Sequence, residues 1–188
     1  RLNLGRLFMT QERYKDALKE FKAIEDRLDT YPNLQLYLSK LYLLTDNKDK
    51  AVELAEKEVK ANGSSEFGYI LLGEIYTAKK EYLEAEKYFK KAQKINGDNV
   101  DMLLGLGKIS FKKSQYDLTV DLFLKAREYA PERGEIHKLL GDTYRKTSQS
   151  TLAIESYKLF LELSPTSKYK DEIETYIRKM QSEGLCTI

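Results

Sequence analysis

Cysteine, histidine and proline are nearly absent from this chain: one, one and three among 188 residues. A lone Cys186 builds neither a disulfide framework nor a thiolate metal site, and it leaves the redox compartment open. A lone His137, with no second His or Cys near it, offers no transition-metal ligand set. Few prolines and only ten glycines argue against long loops. There is no run of about 18 apolar residues, so no membrane-spanning helix is expected, and no signal peptide is readable. A surplus of one charge is missing too. The net charge is +2, from 32 basic and 30 acidic residues, which argues against a surface dedicated to nucleic-acid phosphates.

What is present is charge-rich and slightly apolar-poor: 33% charged, 41% hydrophobic. That balance suits an elongated helical protein with much surface for its volume. The chain starts at Arg1 inside a helical pattern, so it is expected to be a piece of a longer protein, with further repeats or another domain before it.

The dominant signal is a 34-residue period. Gly5, Ser39, Gly73, Gly107 and Gly141 are spaced by 34, and each follows a Leu. Three residues on stand Phe8, Tyr42, Tyr76, Ser110 and Tyr144. Ala17, Ala51, Ala85, Thr119 and Ala153 come twelve residues after the Gly or Ser, and Phe21, Ala55, Phe89, Phe123 and Tyr157 four further on. The spacings of three and four place these residues on single stripes of two amphipathic helices. A small Gly or Ser lets the second helix approach the first, and the large residues fill the space around that contact. One such pair buries too little to stand alone, so neighbours must stack and share a core.

The clearest unit is 66–99, with Leu72, Gly73, Tyr76, Ala85, Phe89 and Ala92. Helices are expected at about 1–11, 14–28, 33–45, 48–61, 66–79, 82–95, 100–113, 116–129, 134–147 and 150–163. Ser65 and Asn99 are candidate N-caps, and Asp46-Asn47 fits a turn. At 168–183 the residues Tyr169, Ile173, Tyr176, Ile177 and Met180 form one stripe, with Gly184 as a helix stop.

These residues resemble the tetratricopeptide repeat (TPR) family, whose pattern is Leu-Gly, Tyr, Ala, Phe, Ala and Pro within 34 residues. The match covers 1 to about 167 and includes Pro131 and Pro165 at unit ends. The resemblance implies an all-α fold, a right-handed superhelical solenoid of helix-turn-helix units with a C-terminal capping helix. The units are expected at 1–31 (its start truncated), 32–65, 66–99, 100–133 and 134–167, with the cap at 168–184.

Most conspicuous residues have structural explanations. Gly105-Leu106-Gly107 lies within a helix with no preceding strand, so it is not a phosphate loop. Lys79-Lys80, Lys90-Lys91 and Lys112-Lys113 sit among glutamates, and Glu81, Glu84 and Glu86 read as a solvated face. Most of the fourteen tyrosines hold repeat positions, and only Tyr31, Tyr37 and Tyr88 lack an easy assignment, so base stacking on a nucleic acid is disfavoured. His137 falls where the family puts a packing residue. In the fourth unit Ser110 and Thr119 replace Tyr and Ala; Ile109 and Phe111 are expected to compensate, with the hydroxyls bonded to helix carbonyls.

The resemblance further implies that the first helix of each unit lines a concave groove, through residues three before, one after and four after the Gly or Ser. In the first four units these are Leu2, Arg6, Met9, Leu36, Lys40, Leu43, Ile70, Glu74, Thr77, Leu104, Lys108 and Phe111. In the fifth they are Lys138, Asp142 and Arg145. Leu2, Leu36, Ile70, Leu104 and Phe111 are expected to hold an apolar peptide or amphipathic helix, with Arg6 and Lys40 steering its acidic residues. The competing expectation is that these aliphatics pack within the solenoid. The Lys–Asn and Lys–Arg pairs by which one branch of the family holds chaperone C-terminal carboxylates have no counterpart at Leu2 and Arg6 or at Ile70 and Glu74.

The expected function is therefore a non-catalytic protein–protein interaction scaffold or adaptor, with no cofactor and no metal. Its partner is a protein or peptide, with no nucleic acid and no membrane insertion. A regulatory or substrate-recruiting region of a larger enzyme, or an assembly factor of envelope or secretion machinery, are the alternatives. Self-association through an uncapped N-terminal face is compatible with the pattern, and the compartment stays open, with the cytoplasm favoured.

Overall fold

The computed structural model describes residues 1–27 and 33–182. Tyr31, Gly184 and Cys186 lie outside these residues. Among the described residues there are eleven helices and no strand: α1 (Leu2–Thr10), α2 (Tyr14–Glu25), α3 (Leu34–Leu44), α4 (Lys48–Ala61), α5 (Glu66–Ala78), α6 (Tyr82–Ile95), α7 (Val100–Lys112), α8 (Tyr116–Tyr129), α9 (Gly134–Lys146), α10 (Ser150–Leu163) and α11 (Lys170–Ser182). They divide into two compact units, Arg1–Gly97 and Asp98–Ile188.

Local chemistry sets the boundaries. The Asn47, Ser65 and Asn99 side chains accept hydrogen bonds from the backbone N–H of Lys50, Gly68 and Met102, capping α4, α5 and α7. The second helix stops at Glu25 rather than 28 because Arg27 N–H turns back to the Ile24 carbonyl three residues earlier, tightening the last turn.

Each first helix ends in the same way. Glu12, Asp46, Lys80, Ser114 and Ser148 adopt left-handed backbone, with φ between 57° and 65°. The next residue's N–H reaches back five residues to the carbonyl of Phe8, Tyr42, Tyr76, Ser110 or Tyr144, at 2.8–2.9 Å. This is the hydrogen-bond pattern of a Schellman C-cap, here repeated every 34 residues without a single glycine at the left-handed position.

Close helix contact follows from the Gly·ring pairs. A Cβ built on Gly5, Gly73, Gly107 or Gly141 would fall within 3.0 Å of the ring of Phe21, Phe89, Phe123 or Tyr157. The second repeat reverses the volumes: Ser39 holds the glycine position and Ala55 the ring position, and the Ser39 hydroxyl donates to the Ala51 carbonyl at 2.7 Å. Both Ser39 and Ala55 are fully buried.

In the N-terminal unit, Ala17, Phe21 and Ile24 of α2 pack with Leu34, Leu38 and Leu41 of α3, and Ala51 and Ala55 of α4 pack with Leu71, Leu72 and Ile75 of α5. Leu4 and Leu7 of α1 hold the positions of Leu38 and Leu41 and are exposed. Tyr37 stacks on Phe21 at 5.3 Å, and Tyr88 stacks on Tyr76 at 5.4 Å and on Tyr69 at 6.4 Å, so both tyrosines outside the repeat pattern find aromatic partners.

In the C-terminal unit, α11 lays Ile173 and Ile177 on Ala153, Ile154, Tyr157 and Phe160 of α10. Tyr169, expected on the same helical stripe, precedes the helix and lies under the Lys138 ammonium at 4.3 Å. The Thr119 hydroxyl donates to the Gln115 carbonyl at 2.8 Å, and Ile109 is buried beside the buried Ser110.

Candidate functional site

The first helices of the N-terminal unit carry fewer free groups than their sequence suggests. Ile70 is 5% exposed and belongs to the core. Leu2 and Met9 lean on the α2–α3 cluster, and Leu36 and Leu43 on the α4–α5 cluster. The Thr77 hydroxyl is turned onto its own helix, donating to the Gly73 carbonyl at 2.7 Å. Lys40 and Glu74, 34 residues apart, form an ion pair at 2.5 Å. The acidic residue that interrupts the basic series thus meets a basic one from the neighbouring repeat, and the two cancel. Arg6 is exposed and forms no ion pair among the described residues.

The C-terminal unit is different. Leu104 is core, 1% exposed. Lys108, Phe111 and Lys112 of α7, Phe123 of α8, and Leu139 and Asp142 of α9 line a cavity of about 230 Å³. Phe111 is braced edge-on by Tyr116, with ring centroids 5.7 Å apart. Of these six, only Lys108 and Phe111 belong to the groove residues expected for the first four units, and Asp142 to those of the fifth. Lys112 and Leu139 were missed. They lie five after Gly107 and two before Gly141; Lys112 is one turn beyond Lys108 and Leu139 one turn before Asp142, so helical spacing on α7 and α9 includes them.

Ion pairs organise the rim. Glu135 accepts from Lys108 at 2.7 Å and from Arg133 at 2.8 Å, and Arg133 also pairs with Asp101 at 2.6 Å. Burial pushes the Glu135 carboxyl up, but the two cations outweigh it and hold it below the usual carboxylate range. Asp142 is likewise occupied on both oxygens: Oδ1 accepts from the Tyr157 hydroxyl at 2.8 Å and Oδ2 from Lys138 at 2.7 Å. Burial first, and Asp142 second, drive the Tyr157 phenol well above its ordinary pKa. Lys112 is exposed and forms no ion pair among the described residues.

His137 is 4% exposed, with Nε2 at 2.7 Å from the Pro131 carbonyl. A carbonyl only accepts, so Nε2 carries the proton and donates it; the ring ties the start of α9 to the turn before it. Among the described residues no three His, Cys, Asp or Glu side chains gather as a metal site. No helix among them is long and apolar enough to cross a membrane.

Sequence profiles described as tetratricopeptide repeat match residues 2–66, and also 68–99 and 135–167. No curated protein matches the chain by sequence. Among solved structures, the chain is similar to TTC0263, a thermophilic TPR protein of Thermus thermophilus. The identity is 22% and the TM-score 0.85, over 94% of this chain and 96% of that one. It is also similar to MamA, at 20% identity and TM-score 0.65, over 86% of this chain and 95% of that one. YrrB, described as a TPR protein with an unusual peptide-binding site, is 15% identical with TM-score 0.62, over 95% of this chain and 90% of that one.

Proposed function

The chain belongs to the tetratricopeptide repeat family, and on that premise we propose that it is a non-catalytic protein-interaction scaffold holding a peptide or amphipathic helix of its partner against its first helices. Its five repeats divide at 1–31, 32–65, 66–99, 100–133 and 134–167, and α11 serves as their C-terminal cap. The observation that carries the reading is the α7–α9 cavity, whose apolar wall of Phe111, Phe123 and Leu139 opens beside charged groups. Burying one large apolar side chain there is worth about 1.5–3 kcal/mol. A rigid wall that needs no ordering on binding keeps most of that gain.

The recognition surface is narrower than the sequence implies. Ile70 and Leu104 support the core, and Lys40 is committed to Glu74. Phe111 and Leu139 are only half-buried, so they are the residues to test. Phe111→Asp with Leu139→Asp should abolish capture of the partner while circular dichroism and melting stay close to the parent. Retention of the same partner by the folded double variant overturns the reading.

A further inference from the structure

We propose that the α7–α9 cavity selects acidic peptide segments, in which a large aliphatic or aromatic side chain fills the apolar wall and a nearby carboxylate pairs with Lys112; this rests on the peptide-binding reading above. The rim carries three charged groups, Lys108, Lys112 and Asp142, and they differ in how far they are already satisfied. The Asp142 charge is already paired with Lys138, and its other oxygen accepts from Tyr157. Lys108 holds Glu135, but Glu135 is doubly served, since Arg133 also donates to it. An incoming carboxylate can therefore share Lys108 without leaving Glu135 unpaired. Lys112 lies one turn further along α7, exposed, beside Phe111, and without an ion pair among the described residues. The uncompensated charge at the cavity mouth is thus positive.

Two lysines on a surface are ordinary, and Lys112-Lys113 alone would indicate nothing. What distinguishes Lys112 is the apolar wall at its base. A carboxylate adjacent to an apolar anchor meets an ammonium where water is partly excluded, and a charge pair is worth more there than on an open face. A basic residue in the same place meets Lys112 itself, and the Asp142 charge that could attract it is already paired with Lys138, so the site also disfavours basic segments.

The test is a displayed library of random peptides selected on the intact chain, followed by fluorescence titration of synthetic peptides at low and high salt. Enriched peptides should pair a Leu, Ile, Phe or Tyr with a close Asp or Glu. Lys112→Glu should weaken an enriched peptide by about tenfold and restore binding to its Glu→Lys counterpart. Lys90→Glu, on α6, should do neither. Peptides that are enriched without acidic residues, or that are indifferent to Lys112→Glu, overturn this inference and leave the groove reading standing. If no peptide is enriched, or if Phe111→Asp leaves the selected peptides bound, both fall.

Discussion

The Tyr157 hydroxyl donates to Asp142 Oδ1 at 2.8 Å from a ring that is 0% exposed, so a residue of the helix crossing reaches the wall of the cavity. Phe21, Phe89 and Phe123 fill the same place in other repeats and have no hydroxyl to offer.

That bond has a pH signature. The phenol's pKa is raised in the folded chain, so the folded state keeps its proton to higher pH than the unfolded state does. Its contribution is complete below about pH 10, the unfolded tyrosine value, and is lost as the pH rises beyond it. Thermal melts between pH 8 and 11 should show the parent losing its advantage over Tyr157→Phe above that point. At neutral pH the variant should be less stable by roughly 1 kcal/mol. Tyr76 and Tyr88 are also raised by burial, so the difference between the two proteins, rather than either slope, is the measurement. A constant difference across the range counts against the assignment.

The reversed volumes in the second repeat predict a coupled pair. Ala55→Phe forces a ring against Ser39 and should cost about 1–3 kcal/mol by overpacking. Adding Ser39→Gly recreates the Gly73·Phe89 arrangement and should recover much of that loss, a coupling of about 1–2 kcal/mol in urea unfolding. Gly73→Ala, whose Cβ would sit 2.7 Å from the Phe89 ring, should destabilise without rescue. Additive effects of Ala55→Phe and Ser39→Gly would show that the two do not share one contact.

Left-handed residues other than glycine are strained by about 1–2 kcal/mol. Lys80→Gly and Ser114→Gly relieve that strain at exposed positions, less the extra entropy that glycine loses on folding. Each should raise stability by a few tenths to about 1 kcal/mol in urea unfolding. Because one lies in each unit, the gains should add. A loss at either site would mean that its side chain is worth more than its backbone conformation costs.

Tyr69, Tyr88 and Tyr76 spend their faces on one another, and the Lys91 ammonium lies 5.3 Å from the ring centre of Tyr69 and 5.1 Å from that of Tyr88. Single-stranded oligonucleotide should therefore leave the tyrosine fluorescence of the chain unchanged. Lys91→Ala should cost no more than about 1 kcal/mol. Quenching by the oligonucleotide would show rings available for base stacking after all.

The helices were legible because their determinants are periodic. Gly73 against Phe89, Ala85 and Leu72 repeat at fixed spacing, and packing one copy dictates packing the next. Of the turn residues only Asp46 was legible, through the Asp-Asn pair. Glu12, Lys80, Ser114 and Ser148 share its backbone conformation but no common residue type, and the glycine that would advertise it is missing. The groove was half legible. Sequence offsets place Ile70 and Leu104 on the first helices, yet whether such a side chain faces outward depends on how closely neighbouring helices approach. Lys40 and Glu74 read separately as two signs along a groove; only their 2.5 Å separation makes them one neutral pair. Lys112 and Leu139 matter because a cavity lies between α7 and α9, and a cavity leaves no mark on a sequence.

Within the N-terminal unit, contacts run from each helix to those next to it in the chain, α1 to α2, α2 to α3, α3 to α4 and α5, α4 to α5, and α5 to α6. Few distant segments must meet before structure is rewarded, so such a unit folds quickly. The same locality governs its response to force. A pull on the chain would meet no clamp shared by the whole unit and would peel off one hairpin after another, each able to reseat on its neighbour. Under load the unit should therefore yield stepwise and recover, as a soft spring does.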